Sequence, residues 1–474
     1  MGSAASIIGP LYADLDGTIV RSDTLWESLV LIAKRDPLAF FALAGRLGAG
    51  KAAFKRAVAG KAVPDPATLP YDRDVADFLS ARRAAGQEII LATAADAAVA
   101  SAVAAHLGIF SAVLASDGRV NNAGAAKRDA VVAHAAGRPF EYLGDGHNDE
   151  EVRRAAAVAH VVGRQASEKP STGRGTGFIR PRLAPRPLFA ALRAKQWAKN
   201  LLVFVPAALS HRIGEPRLLA ASFAAFASFS LCASAVYVVN DLWDIDADRG
   251  HPVKRLRPFA RGDMRIPDGL LAAAASLLLG FAVAAAFLPP AFAAMLAGYV
   301  LVTSLYTFGL KRFVVVDVLI VAACYVWRVA AGSAATGVRP SGWLIVFSVF
   351  FFLSLAFLKR FAELAMRRVQ GLPAEAGRGY AAADMDVIRL LGVASGTIAV
   401  FVMALYVTNP QVTVLYRQPP LLWTVVLATL YWIARAWILA GRGAIKDDPF
   451  AFTVGDRASY ATAALMAAVL VLAS

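Results

Sequence analysis

The chain has 474 residues, 58% of them hydrophobic and 18% charged, with a formal net charge of +15 and a mean hydropathy of +0.54. That apolar weight excludes an ordinary soluble globular protein, and the length accommodates about two or three domains. The basic excess comes with no nucleic-acid-binding motif, so the expected partners are a lipid bilayer and phosphorylated substrates, with no nucleic acid.

Taken in chain order, Met1 to Pro10 is too short and lacks the basic flank of a signal peptide, so the first domain is expected to stay in the cytoplasm. Ile7–Asp14, Glu88–Thr93, Ala112–Ser116 and Phe140–Gly144 read as strands. They alternate with helical stretches, as in a parallel, Rossmann-like α/β sheet. Residues 24–85 read as a mostly helical insertion, a cap over the sheet edge where such folds bind ligands. Residues 1–165 form this domain, and 166–186, rich in Gly, Pro, Ser and Arg, read as a linker. Residues 187–474 read as an all-α membrane bundle of nine apolar helices, near 199–211, 218–239, 269–287, 290–308, 314–332, 341–358, 385–407, 420–440 and 458–473. Lys and Arg gather in the loops after the second, fourth, sixth and eighth helices. This predicts a multi-pass protein of a bacterial-type inner or plasma membrane, with its polar loops and first domain on the cytoplasmic face. Cys232 and Cys324 both fall in apolar runs and read as small buried hydrophobes.

Asp14-Leu15-Asp16-Gly17-Thr18 follows the first strand. Thr93 ends a strand in IILAT, Lys127 lies in GAAKRDAV, and Asp145 and Asp149 lie in GDGHND after another strand. Four such elements in order resemble the haloacid dehalogenase (HAD) phosphatases over about residues 8–165. The resemblance implies a catalytic pair. Asp14 attacks phosphorus, and Asp16 protonates the leaving alkoxide and then activates water. It also implies Mg²⁺ held by Asp14, the Asp16 carbonyl and Asp145, with Asp149 supporting the shell and Thr93 and Lys127 binding phosphoryl oxygens. His147 reads as a loop residue. Gly45 to Lys51 fits GxxxxGK, but Ala52 stands where a P-loop needs Ser or Thr, and the preceding segment is helical. It therefore reads as a turn between cap helices.

The second apolar helix runs into Asn240-Asp241-Leu-Trp-Asp244-Ile-Asp246-Ala-Asp248. At 100° per residue Asn240, Asp241, Asp244 and Asp248 share an arc of about 100°, while Asp246 points away. Carboxylates this close at a membrane helix end call for a divalent cation bridging them to a diphosphate. NDxxDxxxD resembles the first acidic motif of the UbiA superfamily of intramembrane prenyltransferases, over about residues 187–474. Many members that prenylate aromatic acceptors carry a second DxxxD motif after the sixth helix, where this chain has Lys359-Arg360-Phe-Ala-Glu363. That segment, Arg193 to Asn200, Asp248 to Pro258, Tyr306 to Lys311, Asp447-Asp448-Pro449 and Asp456-Arg457 together resemble the decaprenyl-phosphate phosphoribosyltransferases.

The resemblance implies transfer of 5-phosphoribose from phosphoribosyl diphosphate (PRPP) to a polyprenyl phosphate. Asp241, Asp244 and Asp248, assisted by Asn240, would hold Mg²⁺ and the diphosphate. Lys254, Arg255, Arg257, Lys311, Lys359 and Arg360 would bind the remaining phosphates, and Tyr306 and Glu363 would orient them. The product keeps a 5-phosphate, which the first domain would remove on the way to lipid-linked ribose and arabinose donors of the cell envelope. Two other readings stay open: a quinone-type aromatic polyprenyltransferase with an independent phosphatase, and a transporter with a regulatory domain.

Overall fold

The computed structural model describes residues 9–145, 149–163, 176–178, 185–210, 214–369, 371, 378–410, 416–445 and 449–473. Most of the linker, His147 and Asp447-Asp448 lie outside the described residues. The chain forms two compact units. The first is Met1–Arg193 with Tyr237–Ala274, and the second is Ala194–Val236 with Ala275–Ser474.

In the first unit, short runs of buried apolar residues make the strands, and aspartates start the helices. β1 (Leu11–Ala13) is followed by α1 (Thr24–Arg35), α2 (Pro37–Ala44), α3 (Lys51–Ala59) and α4 (Arg73–Ala84). Asp23, Asp36 and Asp72 each accept a backbone N–H of the helix they precede, which satisfies donors that a helix start leaves open. Then come β2 (Ile89–Asp96), α5 (Ala97–Leu107), β3 (Ala112–Ser116), α6 (Ala125–Ala135), β4 (Glu141–Gly144), α7 (Glu150–Ala155), β5 (Val158–Val162) and β6 (Gly177–Phe178). The sheet order is β3-β2-β1-β4-β5-β6, and every pairing is parallel.

Two strands go beyond the four read from the sequence. β5 (VAHVV) is buried throughout and so shows no alternation, and its alanine-rich approach suits a helix as well. The helices of the insertion divide their packing. Ile32, Ala39, Leu43, Val58 and Ala62 make a small cluster of their own. Val75 and Leu79 of α4 instead join Leu11, Ile89 and Leu91 in the sheet core, so α4 belongs to the sheet layer.

The first unit continues through α8 (Pro185–Ala191). After α9 (Val205–Leu209), the C-terminal end of α10 (Pro216–Trp243) returns to it, followed by α11 (Ile245–Arg249), α12 (Pro258–Arg261) and the start of α13 (Ile266–Phe287). The second unit holds α14 (Pro290–Phe308), α15 (Val316–Thr336), α16 (Gly342–Val369) and α17 (Met385–Thr408), then helices Leu422–Gly441 and Arg457–Ala473.

Among the described residues, seven helices are long and apolar enough to cross a bilayer. The expected nine included 199–211, which is 3₁₀ over Ala194–Phe204 and then the five residues of α9, and the last helix, Arg457–Ala473, which is apolar but shorter. The second unit buries Phe352, Phe357, Leu358, Ile433 and Trp437 among others. Arg328 of α15 is one of several charged residues buried in this unit. Its Nε donates to Asn200 Oδ1 (2.8 Å), its Nη2 to Tyr299 Oη (2.8 Å), and its guanidinium lies 5.0–5.5 Å from the ring centres of Phe229, Tyr299 and Tyr325. A cation within a membrane helix is tolerable on such terms.

Candidate functional site

Three parallel strands deliver the first group. Asp14 follows β1 directly, Asp145 follows β4, and Thr93 lies on β2 beside β1, so the three stand at the C-terminal edge of neighbouring strands. Lys127 comes from α6, and Asp149 immediately precedes α7. Lys127 Nζ lies 2.9 Å from Asp14 Oδ1, 2.8 Å from Asp149 Oδ1 and 3.2 Å from Tyr142 Oη. Oxygens of Asp14, Asp145 and Asp149 all lie within 4.8 Å of one another. Burial, then the neighbouring carboxylates Asp149 and Asp145, push the Asp14 carboxyl well above the usual range against the pull of Lys127. One ammonium thus contacts two of three crowded carboxylates. That donor set fits a divalent cation, which would offset the surplus charge.

Asp16 Oδ1 accepts the Thr24 N–H at 2.8 Å, which turns it to the start of α1. Burial and then Asp23 raise its pKa to about 7, so it can carry a proton near neutrality. Gly17 is required between them. Its φ is +76°, and a Cβ there would stand 2.2 Å from Asp145 Oδ2. Thr93 is fully buried, and its hydroxyl accepts the Ala95 N–H at 3.0 Å. These residues line one cavity of about 1130 Å³. The sequence did not single out Lys55, whose Nζ donates to Ala94 O (2.6 Å) and Asn121 Oδ1 (2.9 Å) at its wall. Nor did it single out Asn122, whose amide holds Thr93 O (3.1 Å) and Leu114 O (3.0 Å). Only distant strand ends make such residues neighbours.

The acidic motif at the end of α10 also lies in the first unit. Asp241 and Asp248 are buried. Arg257 Nη1 bridges them, 3.1 Å from Asp241 Oδ1 and 2.6 Å from Asp248 Oδ2, and Arg193 pairs with Asp241 on both oxygens. Burial raises Asp248 to about 6, opposed by Arg257. Arg257, expected to bind substrate phosphate, is engaged by the motif itself. Asn240 and Asp244 are half-buried, Lys254 is half-buried and Arg255 is exposed. Asp241 and Asp248 are donors of the kind a divalent ion takes, and in this structure guanidinium groups hold them instead. Asp246 faces elsewhere, with Oδ2 3.5 Å from Lys34 Nζ.

Two further pairs fix the same segment. Arg249 reaches Glu27 of α1 through both Nη atoms (3.2 and 2.6 Å), and Arg21 Nη1 lies 3.3 Å from Asp263 Oδ1. The Arg249–Glu27 pair is buried. Glu27→Ala would strand the guanidinium and is expected to destabilise the first unit by about 3–5 kcal/mol, read as a lowered melting temperature. An unchanged melt would show the pair to be dispensable.

In the second unit Tyr306 Oη donates to Asp317 Oδ1 (2.7 Å), and Arg360 Nε lies 2.6 Å from Asp317 Oδ2. Glu363 takes both Arg360 and Arg378, the latter at 2.7 Å. Tyr306, Arg360 and Glu363 are therefore together, joined by Asp317 and Arg378, which the sequence reading did not single out. A lone carboxylate opening an apolar helix was the available signal for Asp317. Lys311 and Lys359 are half-buried.

Residues 200–473 match the UbiA prenyltransferase family. An uncharacterized protein of Sinorhizobium fredii, y4nM, is 33% identical over 471 residues, 98% of this chain and 91% of that one. The nodulation protein NoeC of Azorhizobium caulinodans is 34% identical over 272 residues, 57% of this chain and 87% of that one. The decaprenyl-phosphate phosphoribosyltransferase of Mycobacterium tuberculosis is 39% identical over 186 residues, 38% of this chain and 61% of that one. With seven membrane-length helices among the described residues and the family match over residues 200–473, more than half its length, the chain is a multi-pass membrane protein that belongs to the UbiA prenyltransferase family.

Proposed function

We propose that the chain carries out two successive reactions on one lipid. The membrane part transfers 5-phosphoribose from PRPP to a polyprenyl phosphate, and the Asp14 site, acting as a HAD-type phosphatase, then hydrolyses the 5-phosphate of the product. The first half rests on the 39% identity to a decaprenyl-phosphate phosphoribosyltransferase, of whose length this chain spans about three fifths. The second half rests on Asp14, Asp145 and Asp149 gathered together, two of them on Lys127, with Asp16 poised to carry a proton.

In the transfer, a lipid phosphate oxygen attacks the anomeric carbon of ribose as its bond to diphosphate breaks. Asp241, Asp244 and Asp248 would hold Mg²⁺ with Asn240 beside them, and the ion would supply charge neutralisation for the departing diphosphate. Arg193 and Arg257, now on the motif carboxylates, are the guanidinium groups that an arriving diphosphate would attract. Lys254, Arg255, Lys311, Lys359 and Arg360 are assigned to the other phosphates, and Tyr306 and Glu363 to orientation.

In the hydrolysis, a carboxylate oxygen of Asp14 attacks phosphorus, the bond from phosphorus to the ribose 5-oxygen breaks, and Asp16 gives that oxygen its proton. Asp16 then takes a proton from water, which attacks the aspartyl-phosphate and releases inorganic phosphate. Lys127 and Thr93 hold the phosphoryl oxygens. Asp14, Asp145 and Asp149, with the Asp16 carbonyl, would hold Mg²⁺, which would stabilise charge on the transferring group. We assign both sites to the cytoplasmic side, on the distribution of Lys and Arg among the loops.

The test is to give the purified full chain PRPP, Mg²⁺ and a polyprenyl phosphate and to follow the lipids by mass. The expected product is polyprenyl-phosphoryl-ribose without its 5-phosphate. No phosphoribosylated lipid, with consumption of a prenyl diphosphate and an aromatic acid instead, would establish the aromatic prenyltransferase reading.

A further inference from the structure

The cavity above Asp14 is not walled by the sheet and cap alone. Arg261, Gly262, Asp263, Met264, Arg265 and Asp268, which follow the acidic motif, line it together with Asp14, Asp16, Thr93 and Lys127. All of these residues belong to the first unit. The wall is docked closely. Gly262 takes φ +71°, and a Cβ there would stand 2.5 Å from Arg21 Cβ, so the turn after α12 admits little besides glycine. The Arg21–Asp263 and Arg249–Glu27 pairs hold the segment on either side of α12.

Two guanidinium groups of this wall are half in solvent, Arg261 at 50% and Arg265 at 49% exposure. Arg265 is oriented by Asp268, whose oxygens take its Nε (2.8 Å) and Nη2 (3.0 Å). Those bonds use two of five N–H donors and leave the others for a ligand. After Asp268, Asp145 and Asp23 also act on its charge, so it lies within electrostatic reach of the metal-ligand candidate Asp145. A phosphomonoester seated at Asp14 would bring its own charge to Lys127 and the metal. Cations further along the same cavity have no role in that chemistry. They suit a second anion on the same molecule.

We propose that Arg265, with Arg261 beside it, recognises a second anionic group on the substrate whose phosphomonoester is hydrolysed at Asp14. The substrate class is a sugar phosphate carrying another phosphate at a distance, as a lipid-linked phosphoribose or a soluble sugar bisphosphate does. This rests on the phosphatase reading above and narrows it. A segment that carries the transferase motif thereby sets the specificity of the hydrolase.

The experiment measures phosphate release by the full chain in detergent with Mg²⁺, from ribose 5-phosphate, ribose 1,5-bisphosphate and polyprenyl-phosphoryl-5-phosphoribose. Wild type should favour the two substrates that bear a second anion. Arg265→Gln should shrink that preference about 10–100-fold, chiefly through KM, and Arg265→Lys should restore part of it. A preference lost only for the lipid would assign the second anion to the lipid phosphodiester. Loss for both would assign it to either source. Equal loss on ribose 5-phosphate, or an unchanged preference, would overturn the proposal while leaving the phosphatase standing. No hydrolysis of any of the three by wild type would sink the phosphatase reading and this one with it.

Discussion

Asp14→Asn is expected to let the transferase run and to stop the sequence one step short, so that the lipid product keeps its 5-phosphate. The amide cannot serve as the nucleophile, and hydrolysis should fall by about 10⁴-fold or more. The substitution is nearly isosteric, and Lys127 retains Asp149 at 2.8 Å, so the local fold should survive. Mass analysis would show the lipid heavier by one phosphate than the wild-type product. A product without the 5-phosphate from Asp14→Asn would mean that the Asp14 site does not act on this lipid.

Asp241→Asn should have the complementary outcome. Asp241 is buried and receives both Arg193 and Arg257, which makes it the most heavily engaged carboxylate of the motif among the described contacts. Removing its charge weakens the hold on a bridging cation and leaves two guanidinium groups sharing one acceptor fewer. Transfer from PRPP is expected to fall by about a thousandfold or more, while phosphate release from ribose 5-phosphate persists. Loss of both activities together would mean that the substitution acts through folding of the first unit. Retained transfer would remove Asp241 from the diphosphate site.

What the sequence disclosed follows from how locally each feature is encoded. Asp14, Asp16, Thr93, Lys127, Asp145 and Asp149 each sit in a short motif at a strand end or on a helix next to one. A parallel sheet brings successive strand ends to one edge, so the motifs read in order are the ones whose side chains the structure brings to one cavity. β5 and β6 escaped because a buried strand has no alternation and a two-residue strand has almost no pattern. Seven of the nine spans read from length and hydropathy are membrane-length helices among the described residues, while 199–211 and the last helix are not. The pairings of their charges were not legible. Arg193 meets Asp241 across 48 positions, and Asp317 meets Arg360 across 43. No local rule couples residues that far apart. Basic residues read as phosphate ligands therefore turned out, for Arg257 and Arg360, to be held by carboxylates of their own chain.

The neighbours Asp248 and Arg249 point to two different partners, Asp248 to Arg257 and Arg249 to Glu27. The stretch Tyr237–Ala274 belongs to the same compact body as the N-terminal sheet. A cut at residues 166–186 therefore does not fall between two bodies that share no contacts. A recombination event at that linker would deliver a transferase whose Arg249, Asp246 and Asp263 had lost Glu27, Lys34 and Arg21. It would also deliver a sheet domain whose cavity was open on one side. A change at either end of these pairs is therefore felt at the other.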